Sequence, residues 1–370
     1  RGPLPGELNA RDTTHYSVYA IAEYDFSPKW EVSAEARYND EKFSYVFGRF
    51  LNLGVTPAGG LLPAALLGSV FRPSSSTTFF APKLTLNYKP TDDALLYLTA
   101  SKGVKPAGFL NVAVVLDPND AFYEPEELLN YEAGLKTSWL DNRLRVNAAY
   151  FHMIYKDRIN QVLVPDVRSP QGTSTLVVNQ GEAKVDGVEL ELSAALTEGL
   201  SLNLAYTFLD TRFTDSEIPS TSALTIAGSG NCRLGNVAAQ IVCFTNTNGN
   251  SLEQSARNAL IGSLSYRRNL DNGWRFNSEV AAQYRTKRFV SPDNRTWLPA
   301  HTNVDLQLGA ENDRYSVLLY VNNLFDFDKP TSAQSFGDPF IAAPIAPPVL
   351  AYTTYPADPR QVGLRVGFKF

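Results

Sequence analysis

Glu189 and Glu191, two carboxylates two positions apart, are the nearest thing in this chain to a general acid/base pair. A glycosidase needs its two carboxyl groups on either side of the bond it breaks. Here the period-two spacing puts both on the same face of one strand, which reads more simply as part of a polar wall. The other reactive residues converge no better. His15, His152 and His301 are far apart, Gly228-Ser-Gly230 lacks the G-x-S-x-G frame of a nucleophile elbow, and there is no P-loop, dinucleotide fingerprint or H-E-x-x-H. No cofactor and no metal site is expected. Cys232 and Cys243 lie in a Gly/Asn/Thr-rich stretch without a histidine beside them. A loop disulfide formed in an oxidising compartment is therefore expected, ahead of free thiols or zinc. An outer-membrane or secreted β-rich enzyme is the weakest reading of the chain.

The elements that carry these residues explain why they do not converge. The chain has 370 residues, 18 Tyr and 21 Phe against a single Met, and a net charge of −5. That acidity, with no basic stripe, argues against nucleic acid. No stretch approaches the roughly 20 apolar residues of a membrane helix. A membrane strand needs only about 10 residues of alternating character, and such segments fill the sequence.

Thirteen strands are expected, near 14–26, 30–39, 77–89, 94–102, 127–140, 143–160, 176–196, 201–208, 254–267, 274–290, 301–310, 314–323 and 361–370. The second shows the pattern cleanly: Trp30, Val32, Ala34, Ala36 and Tyr38 alternate with Glu31, Ser33, Glu35, Arg37 and Asn39. Short turns and long loops alternate along the chain. This matches the short periplasmic turns and long extracellular loops of an outer-membrane barrel. Aromatic residues near strand ends, such as Trp30, Tyr38, Trp139, Tyr150 and Tyr284, suit the two interfacial girdles of such a barrel. A soluble sandwich or propeller also alternates, but no blade-length repeat is present. The last strand ends on Phe370. Its apolar face, Val362 to Phe370, calls for a partner strand to close against.

Ordered blocks then resemble one family. Val321-Asn-Asn-Leu-Phe-Asp-Phe-Asp-Lys-Pro330, containing Asn323, Leu324, Phe325 and Asp326, looks like the N-L-F-D-K segment near the end of TonB-dependent outer-membrane receptors. Ala100 to Asn111 resembles that family's S-x-G-F-K-P-G-G-F-N segment, with departures at Val104, Ala107 and Leu110. Glu126 to Lys136 and Asn179 to Glu191 resemble its Y-E-x-G-x-K and G-x-E-x-E strands, and Phe370 its aromatic terminus. The resemblance implies an all-β, antiparallel transmembrane barrel in the outer membrane of a Gram-negative bacterium. It also implies TonB-coupled uptake of a scarce bulky nutrient, most often a ferric siderophore, with TonB, membrane lipid and the nutrient as partners.

Members of the family carry a plug domain ahead of a 22-stranded barrel. Residues 1–370 are therefore expected to be a single domain, the C-terminal part of such a barrel, reaching TonB only through a preceding segment. Its closing strand should lie at an open edge or pair with 14–26. Glu132, Lys136, Glu189 and Glu191 are expected on the luminal side. Arg49, Lys105, Arg168, Arg233, Arg295 and Tyr352 are loop candidates for contact with an anionic ligand. A passive porin-like channel is the alternative.

Overall fold

The computed structural model describes residues 7–49, 70–109, 122–165, 173–179, 181–220, 232–237, 240–337 and 350–370. Thirteen long strands form one wall: β1 (Glu7–Ser27), β2 (Trp30–Arg49), β3 (Ser74–Thr91), β4 (Ala94–Lys105), β5 (Glu126–Trp139), β6 (Leu144–Lys156), β7 (Glu182–Thr197), β8 (Leu200–Asp215), β9 (Asn258–Asn269), β10 (Arg275–Arg285), β11 (His301–Glu311), β12 (Tyr315–Asn322) and β13 (Gln361–Phe368). Each pairs antiparallel with the next, in chain order. All thirteen expected strands are present. Among the described residues β1 and β13 do not pair with each other, so the closing strand takes the open-edge alternative rather than joining 14–26.

Register carries the outward face from strand to strand. Val32, Leu86, Leu98, Ala133, Tyr150, Val188 and Phe208 follow one another directly across β2 to β8. Leu264, Val280, Leu306, Val321 and Val362 continue the band across β9 to β13. A one-residue slip would turn every one of these inward, so the band fixes the register. Leu98, Leu264 and Val362 are exposed, as suits a face whose solvent is lipid.

Aromatic rings bound the band at both ends. Trp30 and Tyr38, Trp139 and Tyr131, and Phe276 and Tyr284 are each eight residues apart on one strand, or about 26 Å along it at a rise of ~3.3 Å per residue. At the short-turn end Trp30 stacks on Tyr88 at 4.3 Å, and Phe368 meets Tyr315 at 5.3 Å and Phe370 at 5.0 Å. The outward face turns charged just above Tyr150, where Asp186 binds His152 Nδ1 at 2.8 Å and lies 3.7 Å from Arg212.

Turn chemistry closes the short end. Leu140, Asp141 and Asn142 have φ values of 55°, 55° and 65°, and the Arg143 N–H donates to the Leu140 carbonyl. Asp and Asn tolerate this left-handed region because their short polar side chains can bond locally. Gly199, at φ 87°, lies against the Arg267 carbonyl where a Cβ would collide. On the inward face, aromatic rings fold over glycines of the next strand: Tyr97 over Gly134 and Phe151 over Gly187. These glycines belong to the family-like blocks, and their role is close approach.

Several expected boundaries need correction. The expected strand 143–160 leaves the wall at Lys156, where Asp157 takes φ 51°, and residues 159–165 instead form a loop hairpin with 173–179. The expected strand 176–196 likewise enters the wall only at Glu182, after Gly181 at φ 55°. The wall part of 274–290 ends at Arg285, and that of 254–267 starts at Asn258. Alternation persists through these breaks, so periodicity alone cannot see them. β1 and β2 run well past 14–26 and 30–39 because they rise above the apolar band, where Asp12, Asp40 and Lys42 erase the pattern.

The buried apolar cores lie at the long-loop end. Phe151, Ala183, Val185, Phe213 and Leu252 pack on the inward face of β6 to β8. Val290, Leu298 and Ala333 join two loops, with Tyr352 against them.

Candidate functional site

The inward face is built of paired polar groups. Lys83 Nζ lies 2.8 Å from Glu35, and Glu31 accepts from Asn87 at 2.8 Å and pairs with Lys89 at 3.3 Å. The Tyr97 hydroxyl donates to Glu132 at 2.6 Å, Asn147 donates to Glu191 at 3.1 Å, and Arg275 pairs with Glu311 at 3.0 Å. Lys136 stands 5.8 Å from the Tyr97 ring. Parity thus puts Glu132, Lys136, Glu189 and Glu191 on one polar surface, where the two strand glutamates are wall and not a catalytic pair.

At the opposite end from the short turns, loops fold back over this surface. Leu252 enters the β6–β8 core, and its N–H donates to Thr211 Oγ1 at 3.1 Å. Arg158 and Glu253, both mostly buried, form an ion pair, with the guanidinium 5.6 Å from the Phe213 ring. Such a pair serves to fix one loop position more than to add net stability.

The N-L-F-D segment is a clamp at the root of the last loop. Asn323 is buried at φ 50°. Its Nδ2 donates to the carbonyls of Phe327 and Asp358, each at 2.9 Å, and its Oδ1 accepts the Phe327 N–H at 2.8 Å. Asp326, at φ 54°, accepts the Arg360 N–H at 2.9 Å. The Leu324 N–H donates to the Val304 carbonyl, whereas Phe325 is exposed. The clamp brings the chain on either side of the loop together, so that β13 starts beside β12.

Among the described residues no hydrogen bond or ion pair joins one loop candidate to another. Arg49 ends β2 opposite Glu7, and Lys105 ends β4, exposed, opposite Glu126. Arg168 lies outside the described residues, as does Gly228-Ser-Gly230. Arg233 is held by Glu217, with Nε at 2.9 Å, and lies 4.7 Å from the Phe244 ring; its hydrogen bond to that carboxylate raises its pKa above the ordinary value. Arg295 is exposed. The Tyr352 hydroxyl is 3.3 Å from Ser291 Oγ and its ring packs on the loop core. Cys243 is buried and disulfide-bonded, and Cys232 lies on the neighbouring strand of the same small sheet, opposite Thr245. We propose that these two cysteines form the bridge.

Sequence reasoning passed over Arg285 and Arg288 and read His301 only as one of three scattered histidines, whereas the structure sets all three in one loop neck. A signal was there: residues 285–301 hold Arg285, Lys287, Arg288 and Arg295 against Asp293 alone, in a chain of net charge −5.

An antiparallel wall with an apolar outer band, aromatic girdles and a charged inner face defines a transmembrane β-barrel wall of the outer-membrane kind. The family described as TonB dependent receptor-like, beta-barrel matches residues 2–324, and the chain belongs to that family. Its members are transport receptors of the Gram-negative outer membrane, not enzymes.

Among curated proteins, the chain is 24% identical over 317 residues to the probable TonB-dependent siderophore receptor PiuA of Acinetobacter baumannii, covering 84% of this chain and 36% of that protein. It is 32% identical over 328 residues to the metal-pseudopaline receptor CntO of Pseudomonas aeruginosa, covering 85% and 38%. Among solved structures, the ferric yersiniabactin uptake receptor FyuA from Yersinia pestis superposes with a TM-score of 0.69 at 18% identity, covering 98% of this chain and 47% of that one. The PiuA structure gives 0.69 at 20%, covering 99% and 44%. The chain therefore spans less than half the length of these relatives.

Proposed function

We propose that this chain supplies barrel wall and extracellular loops to an outer-membrane receptor that takes up a ferric siderophore, with energy delivered through TonB. The observation that carries the reading is the combination of a lipid-facing wall with loops folded into a structured mouth over a charged inner surface. Such a mouth presents residues for capture on a rigid scaffold. The names of two relatives, one a siderophore receptor and one a metal-pseudopaline receptor, point to chelated metal as cargo.

The passive channel remains the second reading. Both are tested by uptake of radioactive iron in an iron-starved strain that carries the full-length gene or its deletion. A receptor gives uptake that needs the gene, TonB and the proton gradient. Uptake that persists without TonB would establish the channel, and unchanged uptake in the deletion strain would remove iron as the cargo.

A further inference from the structure

The neck of the β10–β11 loop holds positive charge that no acidic side chain among the described residues answers. Arg285 ends β10 directly opposite His301, the first residue of β11, on the inward-facing parity of Gln283 and Asn303. Three residues further in, Arg288 pairs in register with Leu298, so the same antiparallel neck carries all three groups. Arg288 is only 7% exposed. Its Nη2 donates to the Thr331 carbonyl, while its Nη1 is buried without a hydrogen-bond partner among the described residues, as is Nδ1 of His301.

Burial first, and then the charge of Arg285, lower the Arg288 pKa from its ordinary value, yet a guanidinium stays protonated in proteins. A buried guanidinium with an unused donor beside a second guanidinium is costly until an acceptor with negative charge arrives. Asp293, the sole acid of the segment, is engaged elsewhere: it accepts from Ser291 Oγ at 2.6 Å and from the Arg295 N–H at 3.3 Å. Lys287 adds a third cation, 4.8 Å from the Phe289 ring and 5.3 Å from that of Trp297.

We propose that this neck is an oxyanion site, with Arg285 as the exposed contact and Arg288 as the donor behind it, and that it selects cargo bearing carboxylate or phosphate groups. The inference rests on the receptor reading and narrows its cargo to anionic chelates. A planar guanidinium fork takes a carboxylate or phosphate through two parallel bonds, which suits this chemistry better than a neutral or cationic cargo.

The test uses the full-length receptor purified in detergent. Binding of citrate and of inorganic phosphate is measured calorimetrically at one ionic strength set with chloride. Both anions should bind and compete, and Arg285→Ala, at an exposed position, should weaken citrate by about tenfold, the loss of one charge-assisted contact. Arg314→Ala, exposed in the short turn between β11 and β12, should leave binding unchanged. If wild-type receptor binds neither anion, or if Arg285→Ala binds citrate as wild type does, the oxyanion site is wrong. Iron uptake is scored separately. Uptake with unaltered anion binding in Arg285→Ala would overturn this site and keep the receptor reading, whereas Arg285-dependent anion binding without gene-dependent uptake would do the reverse.

Discussion

The two faces of the same thirteen strands obey different rules. The outward face needs only to exclude charge over the height of the band, so Val32, Leu86, Leu98 and Ala133 follow one another with no requirement on which apolar residue stands where. The inward face is made of specific partners: Glu35 with Lys83, Glu132 with Tyr97, Glu191 with Asn147. One surface is set by its solvent and the other by its neighbours. A change on the first should therefore cost according to depth, and a change on the second according to the partner it leaves behind.

The largest expected effect tests that contrast at adjacent residues. Leu98 is 56% exposed near the middle of the outward band, and Thr99, next in sequence, faces inward 3.1 Å from the hydroxyl of Thr85. Leu98→Arg in the full-length receptor should cost about 2–4 kcal/mol, the penalty for a cation at the bilayer midplane. Thr99→Arg, with Glu132 opposite it in register, should stay below about 1 kcal/mol. Urea unfolding in lipid vesicles measures both. Equal losses would mean that the outward face does not meet lipid.

How legible each region was in the sequence follows the same division. The wall strands could be read because an outward apolar residue at every second position is a rule of the solvent, repeated thirteen times. The mouth could not. Residues 159–165 and 173–179 alternate like wall strands, and only the left-handed residues Asp157 and Gly181 mark where the chain leaves and re-enters the wall. Arg233, a loop candidate for contact with an anionic ligand, is paired with Glu217 across a sheet whose existence no local pattern announced. Arg288 was missed because burial of an arginine depends on Thr331, 43 positions away.

Asn323 stood out in sequence as a motif residue, and its three loop-root bonds now give it a structural reason. Asn323→Ala should lower stability by about 2 kcal/mol, through loss of those bonds and a left-handed backbone that alanine resists. Asn323→Gly keeps the backbone and should recover part of the loss. If glycine were worse than alanine, the conformational half of that account would fail.

The smallest effect is the sharpest test of the inward face. Lys83 and Glu35 are both exposed, with 46% and 39% of their side chains accessible, although they sit 2.8 Å apart on neighbouring strands. In the wall alone such a pair should be worth no more than about 1 kcal/mol, since water screens it. A double-mutant cycle of Lys83→Ala and Glu35→Ala gives the coupling directly. A coupling that falls as salt is raised describes a surface pair lining a wet lumen. A coupling well above that range and insensitive to salt would mean that in the full-length receptor another part of the protein covers this stretch of wall. The inward face would then be a packed interface, and the contrast with the outward face would lie in what covers each of them.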